Sequence, residues 1–152
     1  MRLEPGALAP DFGLLDASGA TVTLSSRRGR RVLVYFYPRA DTPGCTTQAC
    51  ALRDAAGAIG DTAVIGISPD TPAKLARFDA KYGLGFTLLS DPDHVVAGAY
   101  GVWVEKTMYG KKAMGIERSA FLVGADGTLE RAWYKVKPDA TATNLLAALA
   151  EG

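Results

Sequence analysis

The chain has 152 residues, 48% of them hydrophobic, and its 17 basic and 16 acidic residues leave a formal charge of +1. That is the size of one domain with apolar material for one core, so a single domain spanning 1–152 is expected. Near-neutral charge gives no general attraction to nucleic acid, no apolar run reaches signal-peptide or membrane-span length, and two cysteines cannot build a secreted disulfide framework. A soluble cytoplasmic protein is expected, with no nucleic-acid or membrane partner.

Phe12 to Leu15 and Thr21 to Leu24 flank Asp16-Ala17-Ser18-Gly19, whose residues favour a tight reversal, and predict an N-terminal β-hairpin. The basic cluster Arg27-Arg28-Gly29-Arg30-Arg31 reads as a solvated turn, because no aromatic residues interleave with it. Val32 to Tyr37 is a continuous apolar and β-branched run, the pattern of a strand covered on both faces, and Pro38 ends it. Thr42 to Ala56 reads as a helix with Pro43 in its first turn, where the missing amide proton costs nothing. Ala63 to Ser68 is a second buried strand. Pro69-Asp70-Thr71-Pro72 starts a helix to about Tyr82, and Phe86 to Leu89 is a third strand. Asp91-Pro92 opens a helix through Tyr100. Trp103, Tyr109 and Met114 read as a packed loop, with docking of a reductase as the alternative. Ser119 to Val123 and Leu129 to Tyr134 form a second hairpin around Gly124-Ala125-Asp126-Gly127, and Asn144 to Ala150 lies in a closing helix. Crossover helices require parallel strands and hairpins antiparallel ones. The expected fold is therefore α/β, a central mixed β-sheet with helices on both faces.

The chemistry concentrates in Tyr35-Phe36-Tyr37-Pro38-Arg39-Ala40-Asp41-Thr42-Pro43-Gly44-Cys45-Thr46-Thr47-Gln48-Ala49-Cys50. Cys45 falls in the first turn of a helix that follows the C-terminal end of a central strand. A free thiol has a pKa of about 8.5, and the positive end of a helix favours the thiolate. Pro43 and Gly44 before it open backbone space at a helix start, which argues against a cysteine serving only as core filler. The only histidine, His94, reads as a surface residue. Two cysteines five apart match no common zinc spacing, and Gly83-Leu84-Gly85 lacks the rest of a nucleotide fingerprint. Neither metal nor cofactor is expected.

Pro38, Thr42 and Cys45 form a Pro-x-x-x-Thr-x-x-Cys pattern that resembles the signature of peroxiredoxins. Cys50, Ser68-Pro69-Asp70, Tyr109-Gly110-Lys111-Lys112 and Gly115-Ile116-Glu117-Arg118-Ser119 are similar to the bacterioferritin-comigratory, or Q-type, subclass, and the likeness runs from about Gly6 to the C-terminus. The resemblance implies a thioredoxin-like fold and a thiol peroxidase acting on hydrogen peroxide and organic hydroperoxides. It implies Cys45 as the attacking thiolate and Cys50 as the partner that closes an intramolecular disulfide, which thioredoxin or a similar dithiol protein then reduces. Thr42 would offer its hydroxyl to the peroxide, although a helix cap explains it equally well. Pro38 would shield the sulfur, and strand termination explains it equally well. Arg118 would hold the thiolate and the peroxide oxygens; without the resemblance it reads as a solvated strand-end residue. Arg39 and Arg53 are expected on the surface, and Gln48 is not expected to be catalytic.

In one regular helix, residues five apart are separated by ~7.5 Å of rise and ~140° of rotation, hence ~8.6 Å between Cα atoms. A disulfide needs less than about 7 Å, so the Cys45–Cys50 segment must unwind in part during each cycle. Gly44, Thr46 and Thr47 are weak helix formers that would lower the cost of opening, although helix starts commonly contain such residues for other reasons. A monomer is expected, since Cys50 serves within its own chain. The alternatives are a thiol-disulfide oxidoreductase, whose usual Cys-x-x-Cys is absent, and a peroxide-responsive redox sensor, which would oxidise once without sustained turnover.

Overall fold

The computed structural model describes residues 2–151. Its elements in chain order are β1 (Gly13–Asp16), β2 (Thr21–Thr23), β3 (Val32–Phe36), α1 (Pro43–Asp54), β4 (Ala63–Ser68), α2 (Pro72–Tyr82), β5 (Thr87–Ser90), α3 (Val95–Ala99), β6 (Trp103–Met108), β7 (Lys111–Ile116), β8 (Ser119–Val123), β9 (Leu129–Trp133) and α4 (Thr141–Glu151). Seven strands form one sheet in the order β2-β1-β5-β4-β3-β8-β9. The crossovers α1 and α2 make β3, β4 and β5 parallel, while β8, β9 and β1 join antiparallel. This is the mixed thioredoxin-like sheet expected, with the N-terminal hairpin at one edge.

All five residues of β3 are buried, as its unbroken apolar run requires. Their alternation divides them between two cores. Leu33, with Tyr35 on the same face, packs against Cys45, Ala49 and Leu52 of α1, Leu75 and Phe78 of α2, and Leu145 and Ala148 of α4. Val32, Val34 and Phe36 face Val96 and Ala97 of α3, together with Phe12, Tyr100 and Phe121. Helices therefore cover both faces, three on one side and a single short one on the other. Burial of a side chain such as Leu33 contributes roughly 1.5–3 kcal/mol, and the two clusters sandwich the strand that delivers the site.

Two expectations need correction. The helix read from Asp91 to Tyr100 is only the five residues of α3, because Pro92 and a left-handed His94 (φ 60°) form a turn first. The buried Asp91 carboxylate then caps the helix, accepting from the amides of Val96 (3.3 Å) and Ala97 (2.9 Å). The stretch holding Trp103, Tyr109 and Met114 is not a loop but the separate β6–β7 hairpin. Tyr109 and Gly110 both take positive φ (53° and 77°) at its turn. That geometry is usually signalled by Asn-Gly or Asp-Gly, and Tyr-Gly carries no such signal.

Candidate active site

The first turn of α1 sits where β3 ends. Thr42 occupies the N-cap position with extended backbone, and Pro43 starts the helix, so the chain turns from strand to helix within six residues. Cys45 lies in that turn at 2% exposure, Cys50 lies further along the same helix and half-buried, and both thiols are free. The helical geometry that forbids a direct bond between them is therefore the geometry present.

Arg118 reaches Cys45 from the link between β7 and β8. Its Nη2 donates to Cys45 Sγ at 3.4 Å, and its Nη1 donates to Gln48 Oε1 at 2.6 Å. Sheet register explains the reach. Phe36 pairs with Ser119, so Arg118 stands just beyond the end of β3 and beside the loop that leads to Cys45. Its carbonyl also accepts the Val136 amide at 2.9 Å. Gly44 makes room, since a Cβ there would lie 3.2 Å from Arg118 Nη2 and 3.3 Å from Pro138.

Gln48 was underrated by the sequence. It is fully buried, and its Nε2 donates to Thr141 Oγ1 at 2.9 Å, at the start of α4. The side chain thus bridges Arg118 to α4. A signal existed: Cys45, Gln48, Ala49 and Leu52 form the buried stripe of α1 at helical spacing, and a polar residue inside such a stripe needs partners.

The loop before the helix is anchored by Ser68 and Asp70 around the end of β4 and by Lys81 and Tyr82 of α2. The Ala40 amide donates to Asp70 Oδ2 at 2.7 Å, and the Ser68 hydroxyl donates to the same oxygen at 2.7 Å. Asp41, at φ 62°, accepts from Lys81 Nζ (2.9 Å) and from the Tyr82 hydroxyl (2.8 Å). Those two bonds, that to Lys81 foremost, hold the Asp41 carboxyl below the usual carboxylate range. The Thr42 hydroxyl donates to the Arg39 carbonyl at 2.8 Å and makes no capping bond. Pro38 is half-buried at the strand end. Arg39 is exposed, as expected, whereas Arg53 is half-buried and donates to the Tyr82 carbonyl at 2.6 Å.

Beyond Arg118 an open groove of about 610 Å³ is lined by Lys106, Glu117 and Lys135 among others. Burial first, and then the Arg118 guanidinium, hold the Lys106 ammonium below the ordinary lysine range.

A cysteine shielded from bulk water, in contact with a guanidinium and followed on the same helix by a second thiol, suits two-electron oxidation of sulfur on a thioredoxin-like sheet. This is the class of the thiol peroxidases. The chain belongs to the AhpC/TSA family, whose model matches residues 5–132. It is 51% identical over 137 residues to Peroxiredoxin Bcp of Escherichia coli, covering 89% of this chain and 88% of that protein. It is 45% identical over 139 residues to Peroxiredoxin Bcp of Bacillus subtilis, covering 90% and 88%. Among solved structures, a cysteine-to-serine mutant of Xanthomonas campestris Peroxiredoxin Q superposes with a TM-score of 0.90 at 35% identity, covering 98% of this chain and 99% of that one. The bacterioferritin comigratory protein of the same organism, described for its alkyl peroxide reduction activity, gives 0.88 at 35% identity over 99% and 97%. The chain is a peroxiredoxin, a thiol peroxidase that draws on a peroxide substrate and a thiol reductant.

Proposed function

We propose that the chain acts as one domain and reduces hydrogen peroxide and organic hydroperoxides through a two-cysteine cycle. The Cys45 thiolate attacks one peroxide oxygen, the O–O bond breaks, and the other oxygen leaves as water or an alcohol after taking a proton. Cys45 is left as a sulfenic acid. Arg118 supports the anionic sulfur and the polarised oxygens, Thr42 turns its hydroxyl to the peroxide, and Pro38 keeps bulk water from the sulfur. After α1 opens, the Cys50 sulfur attacks Cys45, the S–S bond forms, and the sulfenic oxygen leaves as water. A dithiol protein such as thioredoxin supplies the two electrons and two protons that return both thiols.

The observation that carries this reading is the Arg118–Cys45 contact at 3.4 Å, made at a helix start that also holds Cys50. A monomer suffices, because both cysteines lie in one chain. Among the described residues no helix is long and apolar enough to cross a membrane, and a reducing cytoplasm would keep the thiols ready. The test is peroxide-dependent NADPH consumption with thioredoxin and its reductase. Wild type should turn over, Cys45→Ser should be inactive, and Cys50→Ser should stall unless a small thiol is added. Full activity in Cys45→Ser, or consumption of a single equivalent by wild type, would overturn the cycle.

A further inference from the structure

Leu33 and Tyr35 of β3, and Tyr37 just after it, lie on the face that α1 covers, in one cluster with Cys45 and with Cys50 packed against it. Tyr35 is fully buried. Its ring lies over Gly66 so closely that a Cβ there would stand 2.8 Å away, and it stacks on Tyr37 with 5.4 Å between centroids. Phe86 meets its ring edge-on at 6.1 Å. Every one of these contacts would be served by phenylalanine.

The hydroxyl is what phenylalanine would lack, and it has no hydrogen-bond partner among the described residues. Burial first, and then Tyr37, hold the phenol far above its ordinary range, so it is a neutral donor without an acceptor. Both thiols and Arg118 lie within its electrostatic reach. The Tyr37 hydroxyl has no partner by geometry either, but the Ser68 and Asp70 side chains that act on it anchor the loop rather than α1. Tyr100, equally buried on the opposite face, donates to the Pro10 carbonyl at 2.8 Å. Buried hydroxyls are ordinarily paired, and an unpaired one destabilises the arrangement that buries it.

We propose that Tyr35 is a positioning residue for the resolving step: its unpaired hydroxyl beneath α1 biases the first turns of that helix toward opening, so that Cys50 reaches oxidised Cys45 before a second peroxide does. This rests on the two-cysteine cycle above. The closed helix keeps the hydroxyl from water, the open one lets water reach it, and the difference favours opening.

The experiment mixes reduced protein with one equivalent of hydrogen peroxide and follows the sulfenic acid and the disulfide separately by acid quench and mass measurement. Wild type should pass from one to the other; if it forms no Cys45–Cys50 disulfide, the cycle itself fails. In Tyr35→Phe, oxidation of Cys45 should keep its rate, disulfide formation should slow by roughly three- to tenfold, and sulfinic acid should appear at correspondingly lower peroxide. Hydrogen exchange of the α1 amides should slow in the reduced variant, and its Tm should rise. Tyr100→Phe, which removes a paired hydroxyl, should lower Tm and leave disulfide formation unchanged. Disulfide formation in Tyr35→Phe as fast as in wild type or faster, unchanged amide exchange, or a slower first oxidation with unaltered resolution would each overturn the inference.

Discussion

The loop from Pro38 to Thr42 and the helix start from Pro43 to Cys50 adjoin in sequence but are held in opposite ways. The loop is tied at Ala40 to Asp70, at Asp41 to Lys81 and Tyr82, and at Thr42 back to Arg39. In the helix start, the side-chain bonds to other elements run through Arg118 to Cys45 and Gln48, and through Gln48 to Thr141. Thr47, by contrast, donates only to the Pro43 carbonyl within the same helix. A thiol peroxidase that resolves within its own helix needs this division. The frame that aims the guanidinium must stay, and the turn that carries both sulfurs must let go.

The largest loss is expected at the contact between Arg118 and Cys45. Arg118→Ala leaves the buried sulfur without its cation, and the second-order rate with peroxide measured by stopped flow should fall by about a hundredfold to a thousandfold. Gln48→Glu tests the bridge. A carboxylate at that position would accept the same bond from Arg118 while neutralising its charge, so peroxide oxidation of Cys45 should slow by about tenfold, and Gln48→Ala should slow it comparably by freeing the guanidinium. Gly44→Ala presses a methyl group toward Arg118 Nη2 and Pro138, and should lower the same rate by about threefold, since a flexible side-chain end can yield.

The smallest effect is expected in the loop itself. Asp41 titrates below its ordinary value of about 3.9, so its contribution is present above that pH and fades as the pH falls through the depressed value. Asp41→Asn should flatten the acid side of the thermal-stability profile while changing the peroxide rate by less than about threefold.

Much of this was legible in order along the chain. The buried run of β3, Pro38 as its end and Pro43 as a helix start place Cys45 correctly, because each depends on properties of neighbouring residues. The turn at Tyr109-Gly110 and the shortness of α3 were hidden, since both depend on left-handed residues whose side chains do not advertise them. The bridging role of Gln48 was hidden as well, because its partners come from the segment before β8 and from α4.

The sequence by itself therefore determined the strand, the helix start and the pair of cysteines with their forbidden spacing, all consequences of local periodicity and backbone chemistry. Arg118 entered from the sequence through the family resemblance alone; its contact with Cys45, 73 residues away, and the hold of Thr141, 93 residues from Gln48, on the amide between them are set by the tertiary structure. Those meetings follow from the antiparallel register of β3 with β8 and from the packing of α4 on α1, which arise from the joint burial of several elements rather than from any single segment.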